Sequence, residues 1–285
     1  MMTSVLFSGA GNDFVVIDAR REAARPLCCR WSHADDALLS LSREPSSIAA
    51  ICSRYGTDGL MLLCDSVRYD FRMEFYNPDG STGMMCGNGG RCIAAFASYL
   101  GIVPAGGDEY VFEAPDALHV ARILSRSGDE WSVSLSMRDV SEVRETPAGL
   151  FLDTGARHCV VFVPDVAEVD VAAVGCRLRR DALFAPEGTN VDFVSVMPDG
   201  ALAVRTFEKG VEGETLACGT GVVASVLAGS WRSGAPDGIF ETRVRTRNAW
   251  MSVGFRREGG CFSGITLTGP AALLGEAPLD GDIFV

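Results

Sequence analysis

"MMCGNGGRCIAAFASYLG", residues 84–101, joins a glycine-rich turn to an apolar run. A second stretch, "LACGTGVVASVLAG" at residues 216–229, has the same build. Their cysteines, Cys86 and Cys218, lie 132 residues apart, and that offset holds elsewhere without a gap. "GTDGLMLL" from Gly56 meets "GTNVDFVS" from Gly188, and Phe75 meets Phe207. Gly87 meets Gly219, Gly89 meets Gly221, and Asn88 meets Thr220. Self-similarity at one fixed offset marks a duplicated chain.

Local patterns agree between the copies. "YDFRMEFYN" alternates, with Phe71, Met73 and Phe75 on one face, as a half-buried strand does. "ALAVRTFE" reads as its counterpart, and "WSVSLSM" (residues 131–137) is the most regular strand pattern in the chain. After each cysteine comes a helix pattern: "IAAFASYLG" closed by Gly101, and "VVASVLAG" closed by Gly229. Both patterns are apolar nearly all round, so both helices belong inside something. "NPDG", "MPDG" and "REGG" mark turns between strands. The expected class is α/β (α+β), with two related halves, each a curved sheet around a buried helix. The boundary is placed near residues 118–123. The halves are then residues 1–120 with about 270–285, carrying Cys86, and residues 121–269, carrying Cys218.

With 285 residues, 47% of them hydrophobic, and a net charge of −12, the chain reads as globular and repels phosphate backbones. Arg177, Arg179 and Arg180, and likewise Arg243, Arg245 and Arg247, read as solvated surface on this acidic background. The amino terminus lacks a signal-peptide pattern and no apolar run reaches membrane length, so a cytoplasmic location is expected, without nucleic-acid or membrane partners. Ten cysteines without a secretion signal suggest reduced thiols. The adjacent Cys28–Cys29 pair, the absence of any CxxC pair, and only three histidines (His33, His119 and His158) argue against a metal site. Of 25 basic residues only Lys209 is a lysine, which leaves one candidate for a pyridoxal Schiff base. No cofactor is expected.

Asn88 and Thr220 are favoured N-cap types, which would set each cysteine two residues ahead of a helix, at its positive end. Glycines there let backbone N–H groups approach an anion such as a carboxylate, and the helix end favours thiolate over thiol. Two such mouths, brought together by a pseudo-twofold fold, could flank one carbon. One thiolate would take a proton and the opposite thiol would return one on the other face. A single nucleophilic cysteine would instead want a histidine base and an oxyanion hole, and the sequence offers no special pairing of that kind.

The chain resembles the diaminopimelate epimerase family along nearly its whole length. The resemblance is carried by "GAGNDFVVID" (9–18), "YGTDGLML" (55–62), "FYNPDGSTGMMCGNGGRC" (75–92), "GARHCVVFV" (155–163), "GTNVDFV" (188–194) and "RTFEKGVEGETLACGTG" (205–221). It implies two pseudo-symmetric halves, each a mostly antiparallel sheet or barrel around a central helix, with an active site in the cleft between them. It implies catalysis by Cys86 and Cys218, with Gly87, Asn88, Gly219 and Thr220 holding the α-carboxylate. Glu208 would take the α-ammonium and, with His158, tune the thiols. Asn12, Asn77 and Asn190 would line the pocket. "NPDG" alone would make Asn77 a turn residue.

Three positions depart from the family pattern. Ala156 and Arg157 stand where asparagine and proline are usual, and Lys209 replaces an arginine. "GVEGET" also carries one residue more than "GVGET". Alanine supplies no hydrogen bond and lysine lacks the arginine fork, so the wall for the distal carboxylate looks rebuilt. Arg157 either compensates or is solvated. The resemblance implies a cofactor-independent epimerase that converts LL- to meso-diaminopimelate for peptidoglycan and lysine synthesis. A relaxed racemase for other dicarboxylic amino acids and a non-catalytic amino-acid-binding protein are the alternatives. The partner is a small amino acid, and a homodimer is left open.

Overall fold

The computed structural model describes residues 3–20, 43–83 and 86–279. Cys28, Cys29 and His33 lie outside these residues, as do residues 280–285. The chain divides into two compact units, Met1–Val133 with Ala271–Val285, and Ser134–Pro270. The division at 133/134, where 120/121 was expected, falls inside a strand. The reason is pairing: the strand at Leu118–Ser127 runs antiparallel along Glu109–Glu113 and stays with the first sheet.

In the first unit the order is β1 (Ser4–Gly9), β2 (Asn12–Asp18), α1 (Pro45–Tyr55), β3 (Gly59–Cys64), β4 (Phe71–Tyr76), α2 (Gly87–Tyr99), β5 (Glu109–Glu113) and β6 (Leu118–Ser127). β7 (Glu130–Ser136) leads into the second unit. There follow β8 (Arg144–Thr146), β9 (Gly149–Asp153), β10 (Arg157–Phe162), α3 (Val171–Arg179), β11 (Asn190–Val196) and β12 (Leu202–Glu208). The unit continues with β13 (Gly213–Thr215), α4 (Gly219–Arg232), β14 (Gly238–Arg245) and β15 (Trp250–Glu258). β16 (Cys261–Glu276) then carries the chain back into the first unit.

The duplication is visible in the pairing. β1–β2 and β9–β10 are antiparallel; β2–β3 and β10–β11 are parallel. β3–β4 and β11–β12 are antiparallel; β4–β5 and β12–β14 are parallel. In the first unit the neighbours run from β1 to β7, then β16, and β16 pairs with β1 to close a ring. In the second they run β16-β15-β14-β12-β11-β10-β9-β8, and a bridge from Val140 to Phe262 ties the segment before β8 back to β16.

One helix fills each sheet. α2 packs on β1, β2, β3 and β6, and its residues from Gly87 to Ala97 are all buried. α4 packs on β9–β12, β14 and β15, with Val222 to Ala228 buried. Phe7 meets Phe96 of α2 edge-on at 6.0 Å. Each such buried phenylalanine contributes about 1.5–3 kcal/mol through loss of wet apolar surface. Gly101, in the left-handed region at φ 73°, follows α2 as expected. α4 runs past Gly229 to Arg232, and the left-handed glycine after it is Gly234 at φ 63°. Gly229 lies inside the helix, whose C-cap is Ser233.

The sequence reading names neither outer helix. α1 covers β2 and β3 through Ile48 and Ile51, and α3 covers β11 and β12 through Val171. These coverings bury both faces of β3 and nearly all of β11. The strands therefore read as continuous apolar runs, as parallel-paired strands buried on both sides do.

Candidate active site

In the first unit the site is built on the start of α2. Cys86 itself is the N-cap, extended at φ −106° and ψ 148°, and its thiol sulfur accepts the Gly89 N–H at 3.2 Å. Asn88, expected as the cap, is the second helical residue. Sulfur takes the role an oxygen usually plays, so the helix begins two residues earlier than expected. Asn88 Nδ2 donates to Asn12 Oδ1 at 2.7 Å. Asn12 opens β2 directly after Ala10 and Gly11, both at positive φ (55° and 101°). That two-residue hairpin turn has the twist the flanking strands require, and it aims Asn12 at the helix. Asn77 is held in its own turn, donating Nδ2 to Ser81 Oγ at 3.0 Å.

In the second unit Cys218 is likewise the N-cap of α4, again displacing the expected Thr220. It makes no cap hydrogen bond; its sulfur lies 3.4 Å from Thr220 Oγ1. Thr220 Oγ1 is 3.0 Å from His158 Nε2, and His158 Nδ1 is 2.7 Å from Asp192 Oδ2. Thr206 donates to the other Asp192 oxygen at 2.7 Å. His158 and Asp192 are fully buried. Asn190 bridges outward: its Nδ2 is 3.4 Å from His158 Nε2, and its Oδ1 accepts the Lys209 backbone N–H at 2.8 Å.

Electrostatics overturn one expectation here. Burial pushes the Cys218 thiol well up, and the nearby Glu208 and Asp192 carboxylates add to it. The helix end and the Thr220 hydroxyl do not outweigh them. Burial also raises the Glu208 carboxyl, with His158 pulling the other way. Cys92, one turn into α2, is fully buried and its thiol is pushed up by desolvation, as a packing cysteine's is.

The structure thus brings Asn12, Gly87 and Asn88 to Cys86, and His158, Asn190, Glu208, Gly219 and Thr220 to Cys218. Lys209 is exposed and joins through its backbone. Arg157 is not merely solvated: it pairs with Glu187 and lies 5.3 Å over the Phe151 ring. The extra residue of "GVEGET" is accommodated by Glu212 at φ 56°, whose carboxylate is bound by Arg179 and Arg180 and pulled down to about 2. Those two arginines, expected as solvated surface, anchor this loop. Of the other group, Arg243 pairs with Asp199 and Arg247 with Glu214.

Two residues escaped the sequence reading. Asp192 follows Asn190 by two and shares its face of β11, so strand alternation marks it. Arg91 stands inside the opening motif, and a charged residue in an otherwise apolar helix was its signal. Among the described residues no group of three or more His, Cys, Asp or Glu side chains is gathered to hold a metal ion.

A duplicated fold with a cysteine capping each central helix is the setting in which comparison with known proteins becomes decisive. The diaminopimelate epimerase family profile matches residues 5–106 and 150–273. The chain belongs to that family. A diaminopimelate epimerase of Chlorobaculum tepidum is 40% identical over 273 residues, covering 93% of this chain and 96% of the relative. One from Flavobacterium psychrophilum is 33% identical over 276 residues, covering 96% and 98%. Among solved structures, a phenazine biosynthesis protein of the PhzF family from Bacillus anthracis superposes with TM-score 0.70 at 11% identity, covering 96% of this chain and 97% of that one. A hydroxyproline epimerase from Agrobacterium vitis gives TM-score 0.64 at 18% identity, covering 99% and 93%. These two likenesses carry the fold alone.

Proposed function

We propose that this family member inverts the α-carbon of LL-diaminopimelate to give the meso form, without a cofactor, in the cytoplasmic synthesis of peptidoglycan and lysine. The observation that carries the reading is the pair of cysteines, each capping a central helix at equivalent places in a duplicated, family-matched chain. In the proposed step the Cys86 thiolate removes the α-proton of the L centre. The Cys218 thiol returns a proton to the opposite face, becoming thiolate. The first turns of both helices hold the α-carboxylate through the amides at Gly87–Asn88 and Gly219–Thr220. Such donors also offset the charge that builds at the α-carbon. Glu208 takes the α-ammonium, and the Asn190 amide and Lys209 face the distal end.

Turnover in heavy water tests it. Reduced enzyme should place solvent deuterium on the α-carbon while LL- and meso-diaminopimelate interconvert. A reduced, folded protein that binds diaminopimelate without exchanging its α-hydrogen would sink the reading.

A further inference from the structure

Arg91 is fully buried, at the fifth position of α2. Both features need a cause. A helix N-terminus already carries positive partial charge, so a cation there has the wrong sign. Burying a guanidinium, which stays protonated in proteins, costs free energy unless something compensates. As helical side chains do, Arg91 runs back towards the N-terminus of its helix. There it donates to the Gly87 carbonyl at 3.1 Å and to Asn88 Oδ1 at 2.6 Å.

Two consequences follow from these bonds. Arginine has only donors, so it fixes which end of the Asn88 amide faces it. The Asn88 NH₂ group must then point away, and it donates to Asn12 Oδ1 at 2.7 Å. The second consequence concerns charge. Burial lowers the Arg91 guanidinium, and the Cys92 and Cys86 thiols act in the opposite direction. Cys92 is sealed in the core, its sulfur only 2.9 Å from where a Cβ on Gly9 would stand. Cys86 is half-buried at the helix mouth. Of the two, Cys86 is placed to carry a negative charge and meet a ligand.

Among the described residues the strands packed against α2 carry few ionisable groups, and Asp18 of β2 pairs with Arg20. Asp13 of β2 couples to Cys92. β1 has no ionisable residue, and Cys64 of β3 bonds Glu74. On β6, His119 holds Asp116, Arg122 pairs with Asp108 and Glu109, and Arg126 lies over Trp131. The equivalent position in the second copy is Val223, also fully buried.

We propose that Arg91 is a positioning residue that keeps Cys86 as the thiolate in the resting protein and turns the Asn88 amide towards Asn12. This rests on Cys86 acting as the base, and the experiment separates the two claims. Reduced full-length protein is alkylated with iodoacetamide over a pH series, and Cys86 is read by peptide mass mapping. In the parent, the midpoint for Cys86 should lie below the ordinary thiol value of about 8.5. Arg91→Met should raise it and slow alkylation at pH 7 by about 10-fold or more, as loss of a near opposite charge does. Arg91→Lys, which keeps the charge, should move it less. An Arg91→Met protein with native circular dichroism, protected Cys92 and an unchanged Cys86 profile overturns the role. If Arg91→Met does not fold, Arg91→Gln removes the charge while keeping donors, and an unmoved profile there overturns it equally. An ordinary midpoint in the parent overturns this role, while Cys86 as base is read separately, from α-hydrogen exchange in heavy water by the parent and by Cys86→Ser.

Discussion

The first turns of α2 and α4 are copies of one another, and their surroundings differ in sign. Around Cys86 stand amides and a buried guanidinium: Asn12, Asn88 and Arg91. Around Cys218 stand a histidine and two carboxylates: His158, Asp192 and Glu208. Duplication supplied two equivalent helix ends, and divergence gave them opposite fields. A reaction that takes a proton on one face and returns it on the other needs one group deprotonated and one protonated. On the proposed reading, the difference between the copies supplies that inequality before any substrate arrives.

The hardest test of the comparison removes each sulfur in turn. Cys86→Ser and Cys218→Ser should each lower epimerisation by about 10²–10⁴-fold, the usual worth of a general acid or base. A hydroxyl is far less acidic than a thiol, and at Cys218 the His158–Asp192 pair reaches Thr220 rather than the capping residue itself. Progress curves followed by chiral chromatography, from the LL and from the meso isomer, measure both losses. A variant retaining full activity removes its cysteine from the chemistry.

A subtler break uses the glycines three residues past each cysteine. At Gly89 an added Cβ would stand 3.2 Å from Met61 Sδ, the flexible part of a side chain that can give. At Gly221 it would stand 2.3 Å from Asp192 Oδ1 and 3.2 Å from His158 Cε1. Those atoms are fixed by bonds to Thr206 and Thr220. Gly221→Ala should therefore cost roughly 1–3 kcal/mol of stability, as overpacking does, and disturb the Cys218 side. Gly89→Ala should cost less. Urea unfolding of both variants decides, and equal costs would mean the two surroundings are equally rigid.

What could be read beforehand follows the same line between backbone and field. The repeat, both central helices and the alternating strands β4, β7 and β12 were legible because periodicity is written in neighbouring residues. Both cysteines were legible because their motifs recur. The cap assignments failed because Asn88 and Thr220 are better cap types than cysteine, and only coordinates reveal that sulfur accepts the Gly89 N–H. The charges around each thiol were the least legible. Asp192 reaches Cys218 through the β11–α4 packing, and Arg91 reaches Cys86 by folding back along its own helix. Neither separation in sequence says which thiol is favoured, and at Cys218 burial reverses what the helix end alone implies.

The last prediction asks where the two units should behave alike. Cys64 in the first and Cys159 in the second are both pushed up to about 12, chiefly by burial. Near them, Glu74 raises Cys64 and Asp192 raises Cys159 further. The sign is fixed by linkage. A thiol whose folded value lies above its unfolded value binds its proton more tightly when folded. Its stabilisation is complete below the unfolded value, about 8.5, and is lost as pH climbs from there towards 12. Each thiol should then cost about 1 kcal/mol per pH unit across that window. Urea midpoints at pH 8 and pH 10 for the parent, Cys64→Ala and Cys159→Ala measure the slope. Each alanine variant starts less stable at pH 8, because a cavity replaces the sulfur, but should lose less on going to pH 10. If both alanine variants keep the parent slope, alkaline stability is governed by other groups. If only one flattens, the other thiol is not held up in the folded protein, and the contrast between the halves extends from the site into the core.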